Sequence, residues 1–167
     1  MIRWLMCAVA ALWLATPLAA AQSAKPLFAA DNPIRITIRG PINTIVRAEP
    51  ESNQRYAGSL TVAGTAEALP VELAQRGITR RKSDICQFPP LRVTFTTPPP
   101  AGSVFAGQRR LKLVTHCRPA ANFQQYVLME YATYRLYNQI TPRSFRVRLA
   151  TIDYQDDGGK PVVSRIG

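Results

Sequence analysis

Apolar and polar residues alternate along Ile34-Arg35-Ile36-Thr37-Ile38-Arg39, with β-branched residues throughout. That period of two predicts a half-buried strand, stopped by Gly40-Pro41. Ile45-Val46 reads as a short second strand before the polar stretch from Glu49 to Arg55. Tyr56 to Val62 is a third strand, with Leu60 and Val62 on one face. Leu69 to Leu73 is a fourth, where Pro70 argues for a strand start or a sheet edge. Leu91-Arg92-Val93-Thr94-Phe95 and Leu111-Lys112-Leu113-Val114 repeat the alternation. Between them, Pro98-Pro99-Pro100-Ala101-Gly102 reads as an extended turn or linker.

One segment changes period. From Asn122 to Gln139, apolar residues recur at helical spacing through Val127, Leu128, Tyr131, Ala132, Tyr134 and Leu136. Asn122 suits an N-cap and Pro142 ends the helix. Phe145 to Tyr154 alternates again, with Phe145, Val147 and Leu149 opposite Arg146 and Arg148. Asp156-Asp157-Gly158-Gly159 predicts a hairpin turn, and Pro161-Val162-Val163 the start of a return strand. So few residues follow that the domain reads as cut at its C-terminus. The sum is an α+β chain, a mostly antiparallel β-sheet with one long helix packed on it.

The start of the chain is not expected to belong to that domain. Arg3, an uncharged apolar run from Trp4 to Leu14, Pro17 and Ala19-Ala20-Ala21 fit a secretory signal peptide over residues 1–21. The other reading, a membrane anchor, has too short an apolar core and a proline inside it. Residues 22–33 read as a flexible arm and 34–167 as one α+β domain, with no transmembrane segment left after cleavage. A periplasmic or secreted location then bears on Cys86 and Cys117, the two cysteines outside the leader. In an oxidising compartment one disulfide is their simplest state, worth about 3 kcal/mol for a loop of this length. A reactive thiol pair is the alternative.

The whole chain has 167 residues and carries 21 Lys and Arg against 10 Asp and Glu, a net charge of +11. Its length holds one domain of ordinary size and excludes a large multidomain enzyme. Arg76, Arg80, Arg81 and Lys82 cluster in one predicted loop, with Arg109 and Arg110 near Lys112. Such a run is either a solvated face or an anion site, since guanidinium forks take phosphate and carboxylate bidentately. Outside the cytoplasm its partners would be anionic envelope polymers or lipid headgroups. Nucleic acid is not expected there.

Catalytic signatures are missing: no Gly-x-Ser-x-Gly, no phosphate-binding glycine loop and no His-Glu-x-x-His. The single histidine, His116, is adjacent to Cys117, and neighbours in an extended segment face opposite ways. Neither a metal site nor a cofactor is therefore expected. Lys112 sits between two leucines of a strand and Glu130 lies within the helix. Either both face solvent or they form an ion pair of the kind that positions nucleotide phosphates.

Several segments carry a resemblance. They are Arg76-Gly77-Ile78-Thr79-Arg80-Arg81, Phe88-Pro89-Pro90-Leu91-Arg92, Leu111-Lys112-Leu113-Val114-Thr115-His116-Cys117, Tyr126 to Tyr131, Tyr134 to Asn138 and Ser144 to Leu149. Together they resemble a family of uncharacterised exported bacterial proteins, itself distantly similar to the N-terminal part of CotH-type spore-coat kinases. That resemblance implies that Arg76, Gly77 and Arg80 match an arginine–glycine segment, with Ile78-Thr79 in place of its Asn-Ser. Lys112 would stand on the nucleotide side. The acidic catalytic half of such a kinase would lie beyond residue 167. The expected role is an exported envelope protein, a non-catalytic binding or structural module with a basic, anion-attracting face. The alternative is the N-terminal lobe of a CotH-like phosphotransferase, which would not act as an enzyme on its own.

Overall fold

The computed structural model describes residues 25–162, so the expected signal peptide, the first residues of the expected arm and Val163 of the expected return strand lie outside the described residues. Six strands form one sheet: β1 (Ile34–Gly40), β2 (Tyr56–Val62), β3 (Ala68–Gln75), β4 (Leu91–Phe95), β5 (Arg110–Leu113) and β6 (Ala150–Asp156). Their order is β5-β4-β3-β2-β1-β6. Every neighbouring pair is antiparallel except β1–β6, which runs parallel from Ile34↔Ala150 to Gly40↔Asp156.

The alternation read from the sequence decides the faces. Ile34, Ile36 and Ile38 of β1, Leu60 of β2, Leu69, Val71 and Leu73 of β3, and Leu91, Val93 and Phe95 of β4 are buried together. Arg35 and Arg39, one residue out of phase, are exposed. Strands β1, β2 and β3 approach closely at Gly58. A Cβ there would lie 2.5 Å from the Arg39 carbonyl oxygen and 2.9 Å from Leu73 Cδ1, so only glycine fits.

The buried face is covered by short pieces. Ile45-Val46 belongs to a helix, α1 (Ile42–Arg47), and not to a strand. Pro41 brings its fixed φ (−75°) to the N-cap, the Ile45 N–H bonds back to the Pro41 carbonyl at 3.0 Å, and Ile42 and Ile45 share the buried side. Leu27 from a 3₁₀ turn (Pro26–Phe28) also enters the core, so this part of the arm is tied down. Lys25 Nζ donates to the Gly107 carbonyl at 2.7 Å. Phe88 and Phe105 complete the cover.

The fold is α+β. The long helix, α2 (Ala121–Ile140), carries the chain between the two edge strands of the sheet, β5 and β6. The sheet is curled, so its two edges approach each other: the ring of Phe88, which is bridged to Cys117 just after β5, lies 4.7 Å from the ring of Tyr154 on β6. Asn122 lies inside the helix, whose N-cap is Ala120 with no side-chain cap. The helix meets the rest of the chain at its ends and flank. Arg135 pairs with Asp31, and Asn138 Nδ2 donates to the Phe145 carbonyl at 3.0 Å.

Phe145 to Leu149 do not form a strand; β6 begins at Ala150. A parallel partner exists only where β1 exists, and β1 begins after Pro33, which has no N–H to offer. The ladder accordingly opens with the Ile34 N–H donating to the Leu149 carbonyl at 3.0 Å. Arg148, read as an outward strand residue, instead donates to the Leu27 and Asn32 carbonyls at 3.1 and 2.9 Å. The expected turn after β6 is present, with the Gly159 N–H bonded to the Asp156 carbonyl at 3.0 Å and Gly159 at φ 67°. Pro161 and Val162 join no ladder.

Candidate functional site: a basic sheet face and an exposed helix

Cys86 and Cys117 form a disulfide. It closes the loop after β3 onto the segment after β5, where Phe88 and Cys117 also make an antiparallel bridge. Cys117 has φ 68°, a left-handed conformation that costs a side-chain-bearing residue energy. The Arg118 N–H donates across it to the His116 carbonyl at 2.7 Å, closing a γ-turn. His116 is buried with its ring 5.3 Å from that of Phe88, and burial pulls its pKa down to about 4. It stays neutral at ordinary pH. The Phe88 ring in turn lies 4.7 Å from that of Tyr154, whose phenol burial pushes up.

The loop arginines divide. Arg80 donates to the Thr115 carbonyl at 2.9 Å. Arg81 donates to the Gln75 amide oxygen at 3.3 Å and to the Ser52 carbonyl. Arg118 does the same for the Ile85 and Asp84 carbonyls. These guanidinium groups fasten the loop to its surroundings. Arg76 is half-buried, while Lys82, Arg109 and Arg110 are exposed. The loop cluster and the Arg109–Arg110 pair sit on separate segments, at opposite ends of the hairpin-like excursion between β3 and β5.

Strand register assembles a different group. Lys112 stands opposite Arg92, and Arg110 opposite Thr94, all on the face away from the core. Cross-strand partners on one face have Cβ atoms about 5 Å apart, and like charges placed so are destabilising. The nearest acid on this face, Glu72, stands opposite Thr94 and pairs with Arg55 at 3.2 Å. Among the described residues, Arg92, Arg110 and Lys112 form no ion pair with a carboxylate. Arg92 escaped the sequence reading because two alternating strands do not say which residues face each other. A hairpin assumption joining 91–95 to 110–113 would have found it.

Lys112 does not meet Glu130. Its ammonium lies 4.2 Å from the centre of the Phe145 ring, a cation–π contact that helps fix the chain after α2. Glu130 instead lines a shallow open recess of about 380 Å³ with Thr133, Tyr134 and Tyr137, all on α2. Of the two readings, the ion pair is not formed among the described residues: exposed Lys112 meets the segment following the helix, and not the helix itself. Among the described residues no three of His, Cys, Asp and Glu gather as a metal site. None of the described helices is long and apolar enough to cross a membrane.

The helix departs most from expectation. No residue of α2 is buried. Val127, Tyr131 and Tyr134 of the anticipated stripe are half-buried, whereas Leu128, Ala132 and Leu136 are exposed. Tyr126, Met129, Tyr137 and Ile140 are exposed as well.

Comparison with protein-family models, with curated proteins and with solved structures finds no match.

Proposed function

We propose that this chain is an exported, non-catalytic binding module of the bacterial envelope whose outer sheet face attracts anionic polymers or lipid headgroups. The observation that carries this reading is the group of Arg92, Arg110 and Lys112, three cations that strand register sets on one sheet face without a carboxylate pair among the described residues, Lys112 resting also against the Phe145 ring. Folding alone does not favour such a group; a bound polyanion offsets its repulsion. The leader-like N-terminus and the Cys86–Cys117 disulfide support an oxidising, extracytoplasmic setting. Within it, phosphate-bearing envelope polymers and headgroups are the anions that guanidinium forks suit.

The test is co-sedimentation of the protein, expressed from the full 167-residue chain, with phosphatidylglycerol-containing vesicles and, separately, equilibrium binding of soluble polyphosphate. Binding is expected to weaken steeply between 50 and 300 mM salt, as exposed charges are screened over about 8 Å at physiological ionic strength. Arg92→Ala with Arg110→Ala is expected to reduce it at least tenfold with the circular dichroism spectrum unchanged. Equal binding by the parent and the double variant at low salt would refute the role of this face.

A further inference from the structure

Helix α2 reverses the usual order of a surface helix. Only two of its 20 residues are charged, Glu130 and Arg135, and both are half-buried: Arg135 pairs with Asp31, and Glu130 lies at the flank beside Tyr134. Its solvent side carries no charge at all. Along that side run Asn122, Tyr126, Met129, Thr133, Leu136 and Ile140, at successive spacings of four, three, four, three and four residues. This is the 3.5-residue repeat of a helix that packs along another helix, not the broader stripe that lies on a sheet. The exposure is large where it matters: 58% for Tyr126, 64% for Met129, 69% for Leu136 and 78% for Ile140, with Tyr137 beside them at 52%.

We infer that this seam is a self-association surface, and that its occupant is α2 of a second copy of the same chain. Three observations select that occupant. The seam is uncharged over its whole length, so two copies can bring it together although each carries a net charge of +11. Its heptad spacing matches itself under a two-fold axis, which places the same patch on both sides. Its size suffices. Five large side chains at half to three-quarters exposure offer about 100 Å² each, on the scale where a whole aromatic buries 150–250 Å². With the smaller residues between them, each copy contributes about 600 Å², or about 1,200 Å² in total. That is the lower edge of specific interfaces and suits a dimer that exchanges with monomer. A membrane surface fits less well. Helices that lie in a headgroup layer flank their apolar side with lysine and arginine, whereas the one basic residue of α2, Arg135, is held by Asp31.

The inference is independent of the anion-binding face and is tested without any ligand. Sedimentation velocity on the oxidised protein, made from the full chain, is run from about 1 to 300 μM. A concentration-dependent shift from monomer to dimer is expected. Met129→Lys with Leu136→Lys sets like charges against each other across the axis and is expected to leave monomer at every concentration, with the thermal midpoint extrapolated to the monomer unchanged. A parent chain that stays monomeric at 300 μM overturns the inference, as does a dimer that persists in the double variant. Neutral phosphatidylcholine vesicles form the third arm. A monomeric parent that binds them through a face the double variant lacks would assign the seam to lipid and overturn the inference as well.

Discussion

Gln75 is the polar residue on which the cover of the core depends most. It is buried at the end of β3, and its Nε2 donates to the carbonyls of Ile45, Val46 and Ala48 at 2.6, 3.4 and 3.2 Å. Ile45 and Val46 belong to the last turn of α1 and Ala48 is its C-cap, where helix carbonyls run short of partners; Ile45 alone of the three also accepts the Ala48 N–H, at 3.3 Å. The same amide offers its oxygen to Arg81 at 3.3 Å, and Arg81 continues to the Ser52 carbonyl. One side chain thus joins the sheet, the short helix and the basic loop. Gln75→Leu keeps the volume and removes both functions. The Ile45 carbonyl would keep only its 3.3 Å bond from the Ala48 N–H, a loss of about 0.5–1.5 kcal/mol, and the two half-buried carbonyls lose weaker bonds of about 0.5–1 kcal/mol each. Added apolar burial returns about 1 kcal/mol. The net expectation is about 1–2 kcal/mol of destabilisation, or about 3–8 °C in the melting midpoint for a chain of this size. Thermal unfolding followed by far-UV circular dichroism measures it. A shift of less than about 2 °C would mean that water serves those carbonyls, and that the amide is not what holds α1 to the sheet.

Two further outcomes follow from the Cys117 corner. His116 is buried neutral with its pKa lowered to about 4, so its contribution is fully present above about pH 6.5. It is lost as the pH falls from there toward 4, because the unfolded histidine takes up a proton that the folded one refuses. Urea midpoints are expected to drop over that window by an amount equivalent to at most about 3 kcal/mol, and His116→Phe should flatten the drop. A profile that His116→Phe leaves unchanged would move the cause elsewhere. Reducing Cys86–Cys117, 31 residues apart, should cost about 3–4 kcal/mol in the chain-entropy model. Urea unfolding with and without reductant gives that difference. Two titratable thiols in the unreduced protein would show that the bridge does not form.

Much of the sheet was legible as period-two alternation, because a strand with one buried face must alternate. Ile34 to Ile38 and Leu91 to Phe95 needed nothing beyond their own order. The disulfide was legible too, since the two cysteines outside the expected signal peptide had only each other. Local pattern failed where a partner decides the outcome. Ile45-Val46 is β-branched and reads as strand, yet Pro41 and the burial of Ile42 with Ile45 make it a helical turn. Phe145 to Leu149 alternates as a strand should, but β1 has no residue to pair with it. Lys112 and Glu130 were plausible partners in sequence, and the chain after α2 placed the Phe145 ring over the lysine instead. The loop arginines were legible as charge and not as fasteners, since which carbonyls lie within reach of Arg80 and Arg81 is a property of loop packing. The amino-acid order by itself set the two faces of each strand and a helix over about 122–139. Tertiary structure alone decided that Arg92, Arg110 and Lys112 share one face and that the seam points to solvent. Register and docking are long-range events, and no local propensity encodes which distant residue will stand opposite.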